Sequence, residues 1–84
     1  MKHSILELSA CAVGAAAENG VVSVRLEDGR EIRFPGSKDR RLRDATPRQL
    51  GNIEIICNGT GLHWPDLDED LSVLGILEGR LGVP

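Results

Sequence analysis

Apolar and polar side chains alternate through residues 21–34, on both sides of the pair Asp28-Gly29. A period of two is typical of a half-buried β-strand, and an Asp-Gly pair between two such runs indicates a hairpin. A two-residue turn would place Ile32 opposite Arg25 and mix apolar and charged side chains on one face. A three-residue loop that ends in a left-handed Gly29 instead places Ile32 opposite Val24, so we predict this loop.

A second hairpin is predicted over residues 53–64, where the same test favours a two-residue turn at Asn58-Gly59. This register sets Glu54 opposite His63 on one face. His63 then points away from the strand face that carries Trp64.

Two short helices carry start signals in the sequence. Thr46 is followed by proline and, three residues later, by glutamine, which is a capping box and predicts a helix from about Pro47 to Gly51. A second helix is predicted to start at Ser72 and to end at Gly79 or Gly82.

The aromatic content and the net charge argue against nucleic acid as the main ligand. Only Phe34 and Trp64 are aromatic, and the formal net charge is −3 at pH 7. Single strands are usually held on stacked aromatic side chains in basic grooves, which this chain does not provide. We expect nucleic acid to be contacted only indirectly, if at all.

The N-terminal segment and the cysteines indicate a cytoplasmic protein. Glu7 interrupts the apolar run that begins at Ile5, so a secretory signal is not expected, and no apolar stretch approaches the roughly 20 residues of a membrane span. Cys11 and Cys57 lie far apart without C-x-x-C spacing, which favours two reduced, buried thiols over a disulfide or a metal pair. A chain of 84 residues has a small core, and self-association into a dimer would compensate.

Four acidic residues stand directly ahead of the second helix: Asp66, Asp68, Glu69 and Asp70. Three of them are spaced like the first ligands of a calcium loop, but position six is Leu71 instead of glycine and position twelve is Leu77 instead of glutamate. The favoured interpretation is that these carboxylates cap and orient the helix through its exposed amides. We expect no metal and no cofactor.

His63 and Trp64 are the chemically distinctive residues beside this acidic run. His63 could act as a general base or a metal ligand because histidine titrates near neutral pH, but a structural cross-strand pair with Glu54 is equally economical. Trp64 is interpreted as a core anchor, with partner binding as the alternative. The sequence holds no nucleophile motif and no phosphate loop, so no residue is assigned a catalytic role.

The charges are split along the chain. Residues 38–48 hold five basic and two acidic side chains, whereas residues 66–70 hold four acidic ones and none that is basic. A bipolar surface is usually solvated charge, but it can also steer docking to another protein or to a second copy. The basic candidates for such contacts, or for contacts to nucleic-acid phosphates, are Arg40, Arg41 and Arg43.

Several segments can be matched together along the chain: Asp28-Gly29-Arg30, Pro35, Arg41-Leu42, Ala45-Thr46-Pro47, Gly61-Leu62-His63-Trp64-Pro65, Leu67-Asp68-Glu69-Asp70, and Ser72-Val73 with Gly75. Through them, the chain from about Val21 onward resembles the bacterial family called domain of unknown function 2442. The resemblance implies a small α+β fold. It also favours a strand for residues 4–13, whose pattern alone fits a strand or a short helix.

The same resemblance bears on function. Some members of that family are fused to a helix-turn-helix DNA-binding domain, and others are encoded beside a second small protein, in an arrangement similar to a toxin and antitoxin pair. These associations imply a regulatory or protein-binding role. This chain has no helix-turn-helix segment, so we do not expect it to read DNA by that module.

Two segments depart from the family pattern. Relatives often carry an aromatic-rich stretch after the position of Pro35 and a tryptophan near Ile53. This chain has Gly36-Ser37-Lys38-Asp39-Arg40 after the proline, and no aromatic side chain at either place. A surface that relatives use is therefore expected to be altered here.

We predict a single α+β domain over residues 1–84, a small antiparallel sheet of two hairpins plus an N-terminal strand, with two short helices packed on one face. The predicted function is a non-enzymatic protein-interaction module, the antitoxin-like or regulatory half of a small bacterial gene pair, which forms a homodimer and binds a small protein encoded nearby. The alternative is a metal- or ligand-binding, enzyme-like domain that uses His63 and residues 66–70. The binding and interface candidates are His63, Trp64, Asp66, Asp68, Glu69, Asp70, Arg40, Arg41 and Arg43.

Overall fold

The computed structural model describes residues 11–79. In chain order the strands and helices are β1 (Ala12–Glu18), β2 (Val21–Leu26), β3 (Glu31–Pro35), α1 (Pro47–Gly51), β4 (Glu54–Ile56), β5 (Gly61–Trp64), β6 (Glu69–Ser72) and α2 (Val73–Leu77). The strands form two antiparallel sheets, sheet A with the order β1-β2-β3 and sheet B with the order β4-β5-β6.

Sheet A contains the first predicted hairpin in the predicted register. Val24 pairs with Ile32, and Gly29 has a φ of +94°, as the three-residue loop requires. On the other side of β2, Asn19 and Gly20 both have positive φ in the tight turn that joins β1 to β2. The predicted N-terminal strand over residues 4–13 lies mostly outside the described residues; within them, the strand is β1.

Sheet B contains the second predicted hairpin, and Glu54 pairs with His63 as expected. Its third strand, β6, differs from the sequence prediction, which has an acidic loop at these residues ahead of the helix. Glutamate and aspartate have low strand propensity, but pairing with β5 outweighs it and sets Leu71 against the buried Leu62. Cys57 is exposed at the β4–β5 turn, so the expectation of a buried thiol is wrong there.

The fold is of the predicted α+β class, but one sheet is replaced by two. The segment between β3 and β4 contains a turn and α1, so it separates the two hairpins and each builds its own sheet. Both sheets contribute to one buried apolar cluster, which includes Val22, Val24, Leu26 and Phe34 from sheet A and Leu62, Trp64 and Leu71 from sheet B.

The helices begin and end where the sequence signals predict. At α1, the Thr46 hydroxyl accepts from the Gln49 amide at 3.2 Å, and the Gln49 side chain accepts from the Thr46 amide at 3.0 Å. At α2, the Ser72 hydroxyl accepts from the Gly75 amide at 2.8 Å, and Gly79 follows the helix with a φ of +79°. Within residues 11–79, no helix combines the length and apolar character needed to cross a membrane.

Candidate functional site

The outer face of sheet B carries a row of ionisable side chains across three strands. Glu54 on β4, His63 on β5 and Asp70 on β6 occupy directly opposed positions. His63 Nδ1 hydrogen bonds to Asp70 Oδ1, and 29% of the imidazole side chain is exposed. The row therefore places a partly exposed histidine between two carboxylates.

The electrostatic surroundings favour the charged form of this histidine. The hydrogen bond that His63 donates to Asp70 raises the pKa of His63 most, and the charges of Asp70, Glu54 and Asp68 raise it further. His63 is therefore protonated over a wider pH range than an isolated histidine.

A histidine oriented by a carboxylate is an arrangement that general bases use. The Ser72 hydroxyl, on the same strand as Asp70, caps α2. Among residues 11–79, no three or more His, Cys, Asp or Glu side chains converge as metal ligands would. The row is thus a charged, partly exposed surface built around an oriented histidine.

The acidic turn, residues 65–68, borders this row. Asp66 Oδ2 accepts a hydrogen bond from Asn52 Nδ2 at 3.0 Å. Asp68, whose side chain is 96% exposed, has a φ of +52°. Aspartate tolerates this left-handed conformation better than most residues. The turn therefore holds two carboxylates at the surface beside sheet B.

The structure brings the basic and acidic segments together at one point. Arg41 Nη1 donates to the Asp68 carbonyl oxygen at 3.2 Å and lies 3.9 Å from its carboxylate. Arg40 and Arg43 are exposed, and their side chains make no ion pair with another side chain in the described part of the chain. The basic and acidic segments therefore meet at Arg41, which partly neutralises the acidic turn.

Two candidate interface residues face inward. Trp64 is fully buried, and its Nε1 donates to the Leu50 carbonyl oxygen at 2.9 Å. Glu69 lies directly opposite Trp64 in the register of β5 and β6. Side chains of directly opposed residues point to the same face of a sheet, so the Glu69 side chain also points inward. Trp64 is therefore a core anchor, as the favoured interpretation held, and neither residue contributes to the outer face of sheet B.

The inward-facing Glu69 interacts with Asp39, which is not among the candidate residues predicted from the sequence. Asp39 is fully buried, and its Oδ1 accepts from the amides of Arg41 at 2.9 Å and Leu42 at 3.2 Å. The pKa of Glu69 is raised to about 7. The largest cause is burial of its carboxyl group, and the hydrogen bond with Asp39 and the charge of Asp39 follow. Asp39 therefore links the loop after β3 to sheet B, and Glu69 beside it binds its proton more tightly than an isolated glutamate. The hydrogen bond between Asp39 and the Arg41 amide spans two residues and is a turn that a sequence can indicate. The interaction between Asp39 and Glu69 spans 30 residues, and no local pattern indicates it.

We expect His63 to titrate above its ordinary pKa of 6.5 in a pH series of imidazole NMR spectra, and Asp70→Asn to lower that pKa. Because the pKa is higher in the folded state, the pair's contribution to stability is fully present below about pH 6.5 and is lost as the pH rises through the folded pKa. Glu18→Gln, on sheet A, is the control. A pKa that Asp70→Asn leaves unchanged would refute this assignment of the shift.

The comparisons with known proteins agree with this fold. Residues 12–82 match the family described as "Protein of unknown function (DUF2442)". A protein of unknown function from Rhodospirillum rubrum has 37% sequence identity and a TM-score of 0.81, over 87% of this chain and 90% of that one. An uncharacterized protein from Chromobacterium violaceum has 31% identity and a TM-score of 0.80, over 96% of this chain and 76% of that one. No curated protein matches the chain significantly.

Proposed function

We propose that this chain, which belongs to the DUF2442 family, is a protein-interaction module that docks a small basic partner on the outer face of sheet B. The row Glu54, His63 and Asp70 carries this proposal, because it presents ionisable groups in register on an open sheet face. Such a surface recognises a partner through complementary charge and shape, and it needs no enclosed cavity.

The acidic turn extends this surface. Asp66 and Asp68 are exposed beside the row, and Asp68 is near enough to influence the pKa of His63. Arg41 offsets one of these charges, so a net negative patch remains. Exposed like charges around one site accelerate encounter with an oppositely charged partner, and the effect weakens as salt is added.

The cellular role that fits such a module is regulatory. We propose that the chain acts as the antitoxin-like half of a small bacterial gene pair, in the cytoplasm, as a homodimer that binds a small protein encoded nearby. The resemblance to a family in which some members have such gene arrangements supports this role, and so does the charged surface of sheet B.

The second candidate function is binding of a metal or small ligand at His63. The hydrogen bond between His63 and Asp70 favours it, since a carboxylate that orients one imidazole nitrogen leaves the other available to a ligand. Thermal-shift measurements with zinc and with magnesium, on the wild type and on His63→Ala with Asp68→Ala, separate the candidates. A metal-induced shift that the variants lose would favour this second function.

The test of the proposed function is capture of a partner from the source lysate by the tagged chain. We expect one small basic protein in stoichiometric amount, and we expect Asp66→Asn with Asp68→Asn to reduce its capture about tenfold, because two exposed charges at a docking surface are worth about 1–2 kcal/mol together. Asparagine is chosen because it retains a hydrogen-bonding amide and tolerates the left-handed φ of Asp68.

The matched control is Glu18→Gln with Glu27→Gln, which removes the same charge from exposed positions in sheet A and the loop that follows β2. This control should capture the partner as the wild type does. Equal loss in both double variants would show that only net charge matters, and unchanged capture by the acidic-turn variant would exclude this surface.

A further inference from the structure

The outer edge of β3 is an unpaired strand edge within residues 11–79. β3 is the last strand of sheet A, and its only strand neighbour there is β2. In an antiparallel pair, hydrogen-bonded positions alternate along the strands. The Leu26 amide donates to the Arg30 carbonyl oxygen at 2.8 Å, which fixes this alternation. The N–H and C=O groups of Glu31 and Arg33 therefore point away from β2.

The side chains at this edge restrict which strand can pair with it. Glu31 and Arg33 are exposed on the outer face of sheet A, and Arg33 Nε donates to Glu31 Oε2 at 2.8 Å. Ile32 faces the inner side and is partly buried against the core. Charged side chains, and the missing N–H of Pro35, discourage indiscriminate pairing of an edge strand. A partner strand must therefore match alternating charge on one face and an apolar residue on the other.

A second copy of the same strand meets both conditions. In a two-fold, antiparallel pairing centred on Ile32, each copy's Glu31 lies opposite the partner's Arg33. The outward N–H and C=O groups of these residues can then form four hydrogen bonds between the copies. Ile32 meets the partner's Ile32 on the inner face. The register that completes the backbone pairing is thus also the one in which opposite charges face each other.

We propose that the chain forms a homodimer through β3, which joins two copies of sheet A into one six-stranded antiparallel sheet. This inference rests on the proposal that the chain self-associates, and it names the strand that does so. Two five-residue strands bury less surface than the about 1,000 Å² typical of stable interfaces, so the dimer should be weak, with a dissociation constant on the order of 10–100 µM.

Sedimentation equilibrium of the full chain between about 5 and 500 µM tests the proposal, since this range brackets a dissociation constant of that order. Glu31→Arg and Arg33→Glu each place like charges opposite one another, and each should weaken the dimer at least about tenfold. An equimolar mixture of these two variants restores opposite charges across the strands and should dimerise again. Arg48→Glu, exposed on α1, is the control for a change of charge alone.

The outcomes separate this inference from the proposed function. Dimerisation of the mixture, when neither variant dimerises alone, would establish the β3 pairing. A wild-type dimer that neither single variant weakens would overturn it and place self-association on another surface. A wild-type monomer throughout would overturn the homodimer altogether, and the capture experiment on sheet B would still decide whether the chain binds another protein. Circular dichroism checks that each variant is folded.

Discussion

Replacing Trp64 by alanine is expected to leave the domain largely unfolded at 37 °C. The tryptophan side chain is fully buried in the apolar cluster that the two sheets share. Truncating a buried tryptophan to alanine costs about 3–5 kcal/mol. Since small domains are stabilised by only about 5–15 kcal/mol, and this chain is at the small end, the loss removes most of its stability. Urea denaturation followed by circular dichroism measures the change.

Two further variants separate the contributions of Trp64. Trp64→Phe keeps most of the apolar volume but leaves the buried Leu50 carbonyl oxygen without its indole donor, which costs about 1–3 kcal/mol beyond the loss of volume. Leu77→Ala, at a position that is 38% exposed, should cost less than about 1 kcal/mol. If Trp64→Ala destabilised the domain no more than Leu77→Ala, the assignment of Trp64 as the core anchor would be wrong.

Replacing Glu69 by glutamine is expected to stabilise the protein at pH 8 and to change its stability little near pH 4.5. The pKa of Glu69 is raised from 4.5 to about 7 by burial and by Asp39, so between these values the folded state holds a proton that the unfolded chain releases. The free energy of unfolding therefore falls as the pH rises from 4.5 through 7. Glutamine stays neutral and can still donate to Asp39.

The expected gain at pH 8 is about 1–2 kcal/mol. The full pKa difference corresponds to about 3 kcal/mol, which is reduced because Glu69 is partly exposed and solvent screens its charge. Urea denaturation at pH 4.5, 6 and 8 gives the difference between wild type and variant at each pH. Glu27→Gln, an exposed carboxyl, is the control and should show no such trend. A difference that is independent of pH would contradict the raised pKa of Glu69.

The features predicted from the sequence are those that depend on neighbouring residues. Gly29 determines the loop of the first hairpin because a left-handed residue is needed there, and Thr46 determines the start of α1 through a side chain that reaches only three residues ahead. Strand β6 depends on a pairing of Leu71 with Leu62 that spans the whole acidic turn. Three of the four residues of β6 are polar, and no pattern within the four predicts a strand.

The candidate site was predicted only in part for the same reason. Residues 66–70 were interpreted as one acidic segment, but strand alternation in β6 directs Glu69 inward and Asp70 outward. The pairing of His63 with Glu54 followed from the Asn-Gly turn, whereas its hydrogen bond to Asp70 required the unpredicted strand. Asp39 was counted as a surface charge because its contact with Glu69 exists only in the folded chain.

Chemical-shift mapping with the captured partner tests the central claim most directly. The isotope-labelled chain is titrated with the partner, and its backbone and imidazole resonances are followed. We expect the largest changes at Glu54, His63, Asp68 and Asp70, and we expect the affinity to fall as salt is raised, because exposed charges there dominate the encounter. Changes confined to the outer face of sheet A, with no response from His63, would contradict the proposal that sheet B is the docking surface.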